Sequence, residues 1–175
     1  VIKRINTKKI RLVIALIAIA MYIIMSLLLL LNLQKEYVLD LKFFYTGDYF
    51  LNNFIGISDN QTKQYLLFHL FDYIFIITFY PLLSLILEKR LLSLKYFSLV
   101  PIIAMLFDLI ENILIDIQLR FGVSEIFASF SGISTLLKFS YIGISIVIYI
   151  YSYFQRRNKN EKSSFSGTTN EKIDS

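Results

Sequence analysis

Four stretches of this sequence are apolar for about 20 residues or more, and that pattern alone restricts the fold to very few forms. The hydrocarbon core of a bilayer is about 30 Å thick, which about 20 residues of α-helix cross at about 1.5 Å per residue. The stretches run from about Leu12 to Leu33, Tyr65 to Leu87, Tyr96 to Leu119 and Gly132 to Phe154. Hydrocarbon offers peptide N–H and C=O groups no partner, so a spanning segment is a helix or a strand of a closed barrel. Barrel strands alternate in polarity over about ten residues, and these runs do not alternate. The expected fold is therefore all-α: a polytopic membrane protein built as a four-transmembrane-helix bundle over residues 12–154. Composition agrees, with 56% of the 175 residues apolar and only 18% charged. The first apolar run is about 21 residues, longer than the roughly 7–15 of a signal-peptide core, so it is read as a retained span.

Orientation follows from Lys and Arg. Thirteen of them lie in residues 1–11, in the link between the second and third spans, and in the tail 155–175. The opposite side holds four, namely Lys35, Lys42, Lys63 and Arg120, while Lys138 lies inside the fourth span. The positive-inside rule then places both termini in the cytoplasm, with the chain in the cell membrane. The basic residues flank apolar segments as topology signals do, so the net charge of +5 does not point to nucleic acid. The expected partners are membrane lipids and, for some functions, further copies of the chain. The polar tail 155–175 is expected to be disordered. The long outer loop, 34–64, contains Leu41-Lys-Phe-Phe-Tyr-Thr-Gly-Asp-Tyr-Phe-Leu51, which reads equally as an interfacial helix over the bundle or as a plain connection.

Chemistry is narrowed by what is missing and by what is buried. With no cysteine, disulfides, thiolate metal sites and Cys nucleophiles are excluded. One His beside carboxylates is a poor zinc signature, and no metal or cofactor is expected. Ionisable side chains within spans are expensive, and they gather here in stripes. On the second span Tyr65, His69, Asp72 and Tyr80 share a sector about 80° wide. On the third, Asp108, Glu111 and Asn112 share about 100°, with Asp116 beyond them. On the fourth, Ser131, Ser134, Lys138, Ser145, Tyr149 and Ser152 share about 60°. Counted from the outer ends, Asp72, Glu111, Asn112 and Lys138 lie about 9–12 Å deep, and Asp108 about 16 Å. The stripes are expected to face one another, with the first span as an apolar wall.

Three acids, Asp72, Asp108 and Glu111, then meet one cation, Lys138. Such a centre holds protons, binds a cation, admits water, or serves only as polar glue between helices. Three functions fit. One is a membrane-embedded acid–base enzyme or lipid-handling protein, with Asp108 or Glu111 as the acid and Lys138 or Asn112 orienting a substrate from the outer leaflet. Another is a small proton- or cation-coupled transporter, which with four spans would need to oligomerise. The last is a structural or accessory subunit. Tyr80-Pro81 is read mainly as a helix irregularity.

The run Phe107-Asp108-Leu-Ile-Glu111-Asn112 resembles the D-x-x-E-N signature of a group of small bacterial four-span membrane proteins with no activity assigned to the group. The resemblance extends over about residues 40–150 through Tyr65, Asp72, the Tyr80-Pro81 pair and Lys138 in order. It implies a polar centre made of Asp72, Asp108, Glu111, Asn112 and Lys138, and it implies no reaction.

Overall fold

A computed structural model describes the backbone of residues 8–31, 39, 42–91 and 95–170, and side chains within 9–29, 39, 42–89, 91 and 96–155. Lys3, Arg4, Lys35 and Lys172, along with 32–38 and 40–41 of the long loop, lie outside the described residues. The elements are α1 (Lys8–Leu31), α2 (Gly47–Phe54), α3 (Asp59–Arg90), α4 (Val100–Phe121) and α5 (Glu125–Asn170), with a 3-10 turn at Lys95–Leu99 leading into α4. No strand occurs among the described residues. Four of the helices, α1, α3, α4 and α5, are long and apolar enough to cross a membrane, and the chain is a multi-pass membrane protein.

The distribution of polarity fits that solvent. Asp108, Glu111, Asn112 and Lys138 are buried, while Leu12, Leu16, Ile23, Ile110, Ile113, Val147 and Ile150 are exposed. In water this would leave large apolar patches uncovered. In lipid, as apolar as a leucine side chain, those residues need no cover.

Each helix end has a local cause. At the start of α3 the Ser58 hydroxyl accepts from Gln61 N–H at 3.3 Å, and the Gln61 carboxamide oxygen accepts from Ser58 N–H at 3.1 Å. This reciprocal cap starts the helix at Asp59, ahead of the apolar run that begins at Tyr65. Pro101 enters α4 in its first turn, where a missing N–H leaves nothing unbonded. Gly122, at φ 108°, ends α4 in a conformation that disfavours any Cβ, and α5 follows three residues later. Gln118 ties this corner, its side-chain oxygen accepting from Ser124 N–H at 3.4 Å. At the far end the backbone continues as helix to Asn170, where the sequence suggested disorder from Gln155 onward. A helix already nucleated in the span extends into a proline-free polar segment without a second nucleation step.

The α4–α5 hairpin is the most extensive contact, α3 packs against α4, and α1 packs mainly on α3. Ala18 is buried on α1, and the Tyr22 and Phe75 rings lie 6.3 Å apart, so the first span forms the apolar wall expected of it. The long loop is not a plain connection: it carries a helix that lies over the end of the bundle, the other of its two readings. Its helix is α2, capped by the Thr46 hydroxyl, which accepts from Tyr49 N–H at 3.2 Å. Phe50 and Phe54 are turned into the protein, stacked at 4.5 Å, with Phe54 edge-on to Tyr65 at 5.5 Å. Burying each such ring contributes on the order of 2 kcal/mol, which holds α2 onto the end of the bundle.

Two apolar layers result. One, at the α2 end, gathers Leu39, Tyr45, Phe50, Phe54, Tyr65, Phe68, Ile115 and Ala128. The other gathers Ile76, Tyr80 and Ala104, flanked by Phe79, Met105, Leu109, Tyr141 and Ile142. Along α3, α4 and α5 the buried ionisable residues fall between these layers.

Candidate functional site

The centre is built on Lys138. Its position on α5 directs a four-carbon stem toward α4, and the ammonium lies 2.9 Å from Asp108 Oδ1 and 2.7 Å from Glu111 Oε2. Asp108 and Glu111 are three residues apart, so α4 presents both carboxylates on one face, one turn apart. All three side chains are nearly or fully excluded from solvent, with exposures of 5%, 7% and 0% for Lys138, Asp108 and Glu111. At such burial each charge depends on its partners, since an uncompensated ion in this environment is strongly destabilising.

Two further side chains close the centre along the helix axes. The Tyr80 hydroxyl, on α3, donates to Asp108 Oδ2 at 2.7 Å. On the α2 side Thr135 Oγ1 lies 2.5 Å from Glu111 Oε1 and 3.0 Å from the Ser131 carbonyl. A hydroxyl has one proton and two acceptor lone pairs. An ionised Glu111 accepts from Thr135; a protonated Glu111 donates to Thr135, whose own proton then goes to Ser131 O. The same atoms accommodate both protonation states. Above them the Tyr45 hydroxyl lies 3.5 Å from Glu111 Oε1, so the loop before α2 reaches down to the ion pair.

Beside this triad, Asn112 Nδ2 donates to Asp72 Oδ2 at 2.5 Å, joining α4 to α3. Asn112 Oδ1 is buried and has no hydrogen-bond partner among the described residues. The five residues expected from the sequence, Asp72, Asp108, Glu111, Asn112 and Lys138, are thus all buried between α3, α4 and α5 and linked in two bonded groups. Of the three secondary candidates, Tyr80 joins the triad. Tyr65 does not: its hydroxyl accepts from Leu39 N–H at 3.3 Å, and its ring belongs to the apolar layer at the α2 end.

His69 leads a separate group. Its Nδ1 lies 2.6 Å from Asp116 Oδ1, and the Tyr73 hydroxyl donates to Asp116 Oδ2 at 3.0 Å. With the carboxylate ionised, Nδ1 carries the ring proton. The fully buried imidazole is edge-on to Tyr65 at 4.6 Å. No group of three or more His, Cys, Asp or Glu side chains among the described residues is arranged to hold a metal ion.

Three participants escaped the sequence reading. Thr135 lies one turn from Lys138 on α5, but a lone hydroxyl in a span packed with Ser carries little signal. Tyr73 follows Asp72 directly, and adjacent residues point to different sides of a helix. Tyr45 lies in a loop, where no periodicity announces which way a side chain turns.

No family model, curated protein or solved structure matches this chain.

Proposed function

We propose that this chain is a cell-membrane protein with cytoplasmic termini, and that its buried triad performs acid–base work on a polar group arriving from the outer leaflet, as a membrane-embedded enzyme or lipid-handling protein. The observation that carries this reading is a single ammonium, Lys138, shared by two buried carboxylates at 2.9 and 2.7 Å. Two carboxylates against one cation either hold a net negative charge or share a proton, and a site able to do both is an acid–base site. Ionisable groups inside spans are functional candidates by default. In this reading Glu111 exchanges the proton, Lys138 and Tyr80 fix Asp108 as the fixed anion, and Asn112 and Asp72 line the neighbouring polar space. With the α2 end outward, the loop bearing Tyr45 covers the centre on the side a substrate would approach. Of the residues that carry the resemblance to the D-x-x-E-N group, Asp72, Tyr80, Asp108, Glu111, Asn112 and Lys138 meet in the bundle while Tyr65 packs apart from them, which supports treating those six as one site.

A second reading rests on a different feature. Tyr80, Asp108, Lys138, Glu111 and Tyr45 form a continuous polar run from one apolar layer to the other. Such a run suits a proton-coupled carrier, acting as an oligomer because four spans are few. The test is an infrared titration of the purified protein in lipid nanodiscs, with dye-reported proton flux measured in liposomes. The acid–base reading expects a carboxyl band that titrates in the wild type, is lost in Glu111→Gln, and is accompanied by no flux. Flux dependent on Glu111 would favour the carrier. A folded Glu111→Gln protein with an unchanged titration would overturn both readings. Loss of folded yield in Glu111→Gln and Lys138→Met with no titrating band would leave only a structural role.

A further inference from the structure

A second polar site lies on the lipid-facing seam between α3 and α4, toward the α2 end. A cavity of about 290 Å³ opens there, lined by Tyr73, Ile113, Asp116, Ile117, Arg120 and Phe121. It combines three kinds of surface along one line. Asp116 is 19% exposed, and each of its oxygens already accepts one hydrogen bond, from His69 and from Tyr73. A carboxylate has about four lone-pair sites, so it is held firmly and still accepts further donors. Arg120 follows one turn later, about 6 Å along the axis. It is exposed in the last turn of α4 and makes no hydrogen bond or ion pair with a described side chain. Ile117, level with Asp116, and Ile113, one turn further from Arg120, are 37% and 49% exposed and continue the groove inward from the helix end, the path an acyl chain follows.

We propose that this groove binds a phospholipid with an ethanolamine headgroup. Its ammonium meets the Asp116 carboxylate and the Tyr73 hydroxyl oxygen, its phosphate meets Arg120, and one acyl chain lies along Ile113 and Ile117. Charge complementarity selects this class. A headgroup with a phosphate alone satisfies Arg120 but brings its negative charge toward Asp116. A choline headgroup carries the positive charge but has no N–H to donate. Ethanolamine has both the cation and the donors, and its two-carbon link to phosphate is short enough to span the single helical turn between Asp116 and Arg120. The site is separate from the Asp108–Lys138–Glu111 triad, and the proposal stands or falls without it.

The experiment measures lipid retained by the purified full-length protein after incubation with an equimolar mixture of phosphatidylethanolamine, phosphatidylcholine and phosphatidylglycerol, read by native mass spectrometry. Wild type is expected to retain phosphatidylethanolamine about fivefold over each of the others, the scale of one partly exposed ion pair. Asp116→Asn removes the charge, keeps one acceptor oxygen for His69 or Tyr73 but not for both, and is expected to abolish the preference over phosphatidylcholine. Arg120→Gln is expected to lower retention of all the phospholipids while melting like wild type, since the side chain is exposed; this arm stands even if Asp116→Asn disturbs the fold. Equal retention of the three lipids by wild type, a preference for phosphatidylglycerol, or a phosphatidylethanolamine preference that survives both substitutions would overturn the proposal.

Discussion

The backbone carbonyl of Tyr45 rests on Gly132, so close that a Cβ on residue 132 would collide with that oxygen. Gly47 meets α5 in the same way, where a Cβ would lie 2.9 Å from the Glu125 carbonyl. Both carbonyls are backbone atoms, which do not swing aside as a side-chain tip does; at Gly47 the Ser129 hydroxyl, 2.7 Å from such a Cβ, crowds the position further. Absence of side chains at these two positions therefore lets the loop and α2 lie flat on α5 and lets Tyr45 reach Glu111.

Gly132→Ala is accordingly expected to lift the loop without unfolding the bundle. Overpacking of this kind destabilises by about 1–3 kcal/mol. Hydrogen exchange should rise in residues 42–54 and stay unchanged in the middle of α4. An unaltered exchange pattern in 42–54 would show that the loop is not seated on Gly132.

The triad makes a prediction about charge that a simple tally of contacts would miss. Lys138→Met leaves Asp108 and Glu111 buried without their cation, and breaking a buried pair in this way destabilises by about 3–5 kcal/mol. Replacing all three with neutral residues of similar shape, Asp108→Asn, Glu111→Gln and Lys138→Met together, removes the uncompensated charge. The triple variant is expected to melt well above Lys138→Met in detergent. If the two melt alike, the loss in the single variant comes from packing and not from charge.

Two tyrosines on α3 give an internal comparison. Tyr80→Phe removes a 2.7 Å hydrogen bond to a carboxylate, and bonds to charged groups contribute about 1.5–3 kcal/mol. Tyr65→Phe removes a 3.3 Å contact to a backbone N–H, of a kind that contributes about 0.5–1.5 kcal/mol. The rings stay buried in both variants, so packing is constant. Thermal unfolding should rank Tyr80→Phe as the more damaging substitution, and the reverse order would mean that Tyr80 does not support Asp108.

These contrasts also show what the sequence made legible. Helix type and the inward face of α3, α4 and α5 were readable because hydrocarbon leaves the backbone no alternative and because a charge in a span must face protein. Asp108, Glu111 and Lys138 announce themselves on that ground. The partners that complete the site follow other rules. Thr135 is neutral and pays no penalty for facing lipid, so its contact with Glu111 depends on the rotation of α5. Tyr45 is placed by two glycines on other elements and a helix cap at Thr46, none of which has a periodicity. Tyr65 shares the stripe of Asp72 and Tyr80, yet α2 covers it with Phe54 and turns it into packing. Helical phase fixes direction around an axis, while the loop decides what lies above.

The His69–Asp116–Tyr73 group offers the most discriminating stability test, because Asp116 joins two successive turns of α3 to α4 through separate oxygens. Asp116→Ala leaves the fully buried His69 without its carboxylate and the half-buried Tyr73 hydroxyl without its acceptor. Loss of a buried partner destabilises by about 1–3 kcal/mol, most of it arising at His69. Tyr73→Phe alone should then be mild. Once Asp116 is absent, the Tyr73 hydroxyl has nothing left to lose there, so the double variant should be scarcely less stable than Asp116→Ala. A thermal-unfolding cycle over wild type, the two single variants and the double variant measures this coupling, expected at about 0.5–3 kcal/mol for residues in one network. Strict additivity would show that Tyr73 and Asp116 act independently, and the carboxylate would then be held by His69 alone.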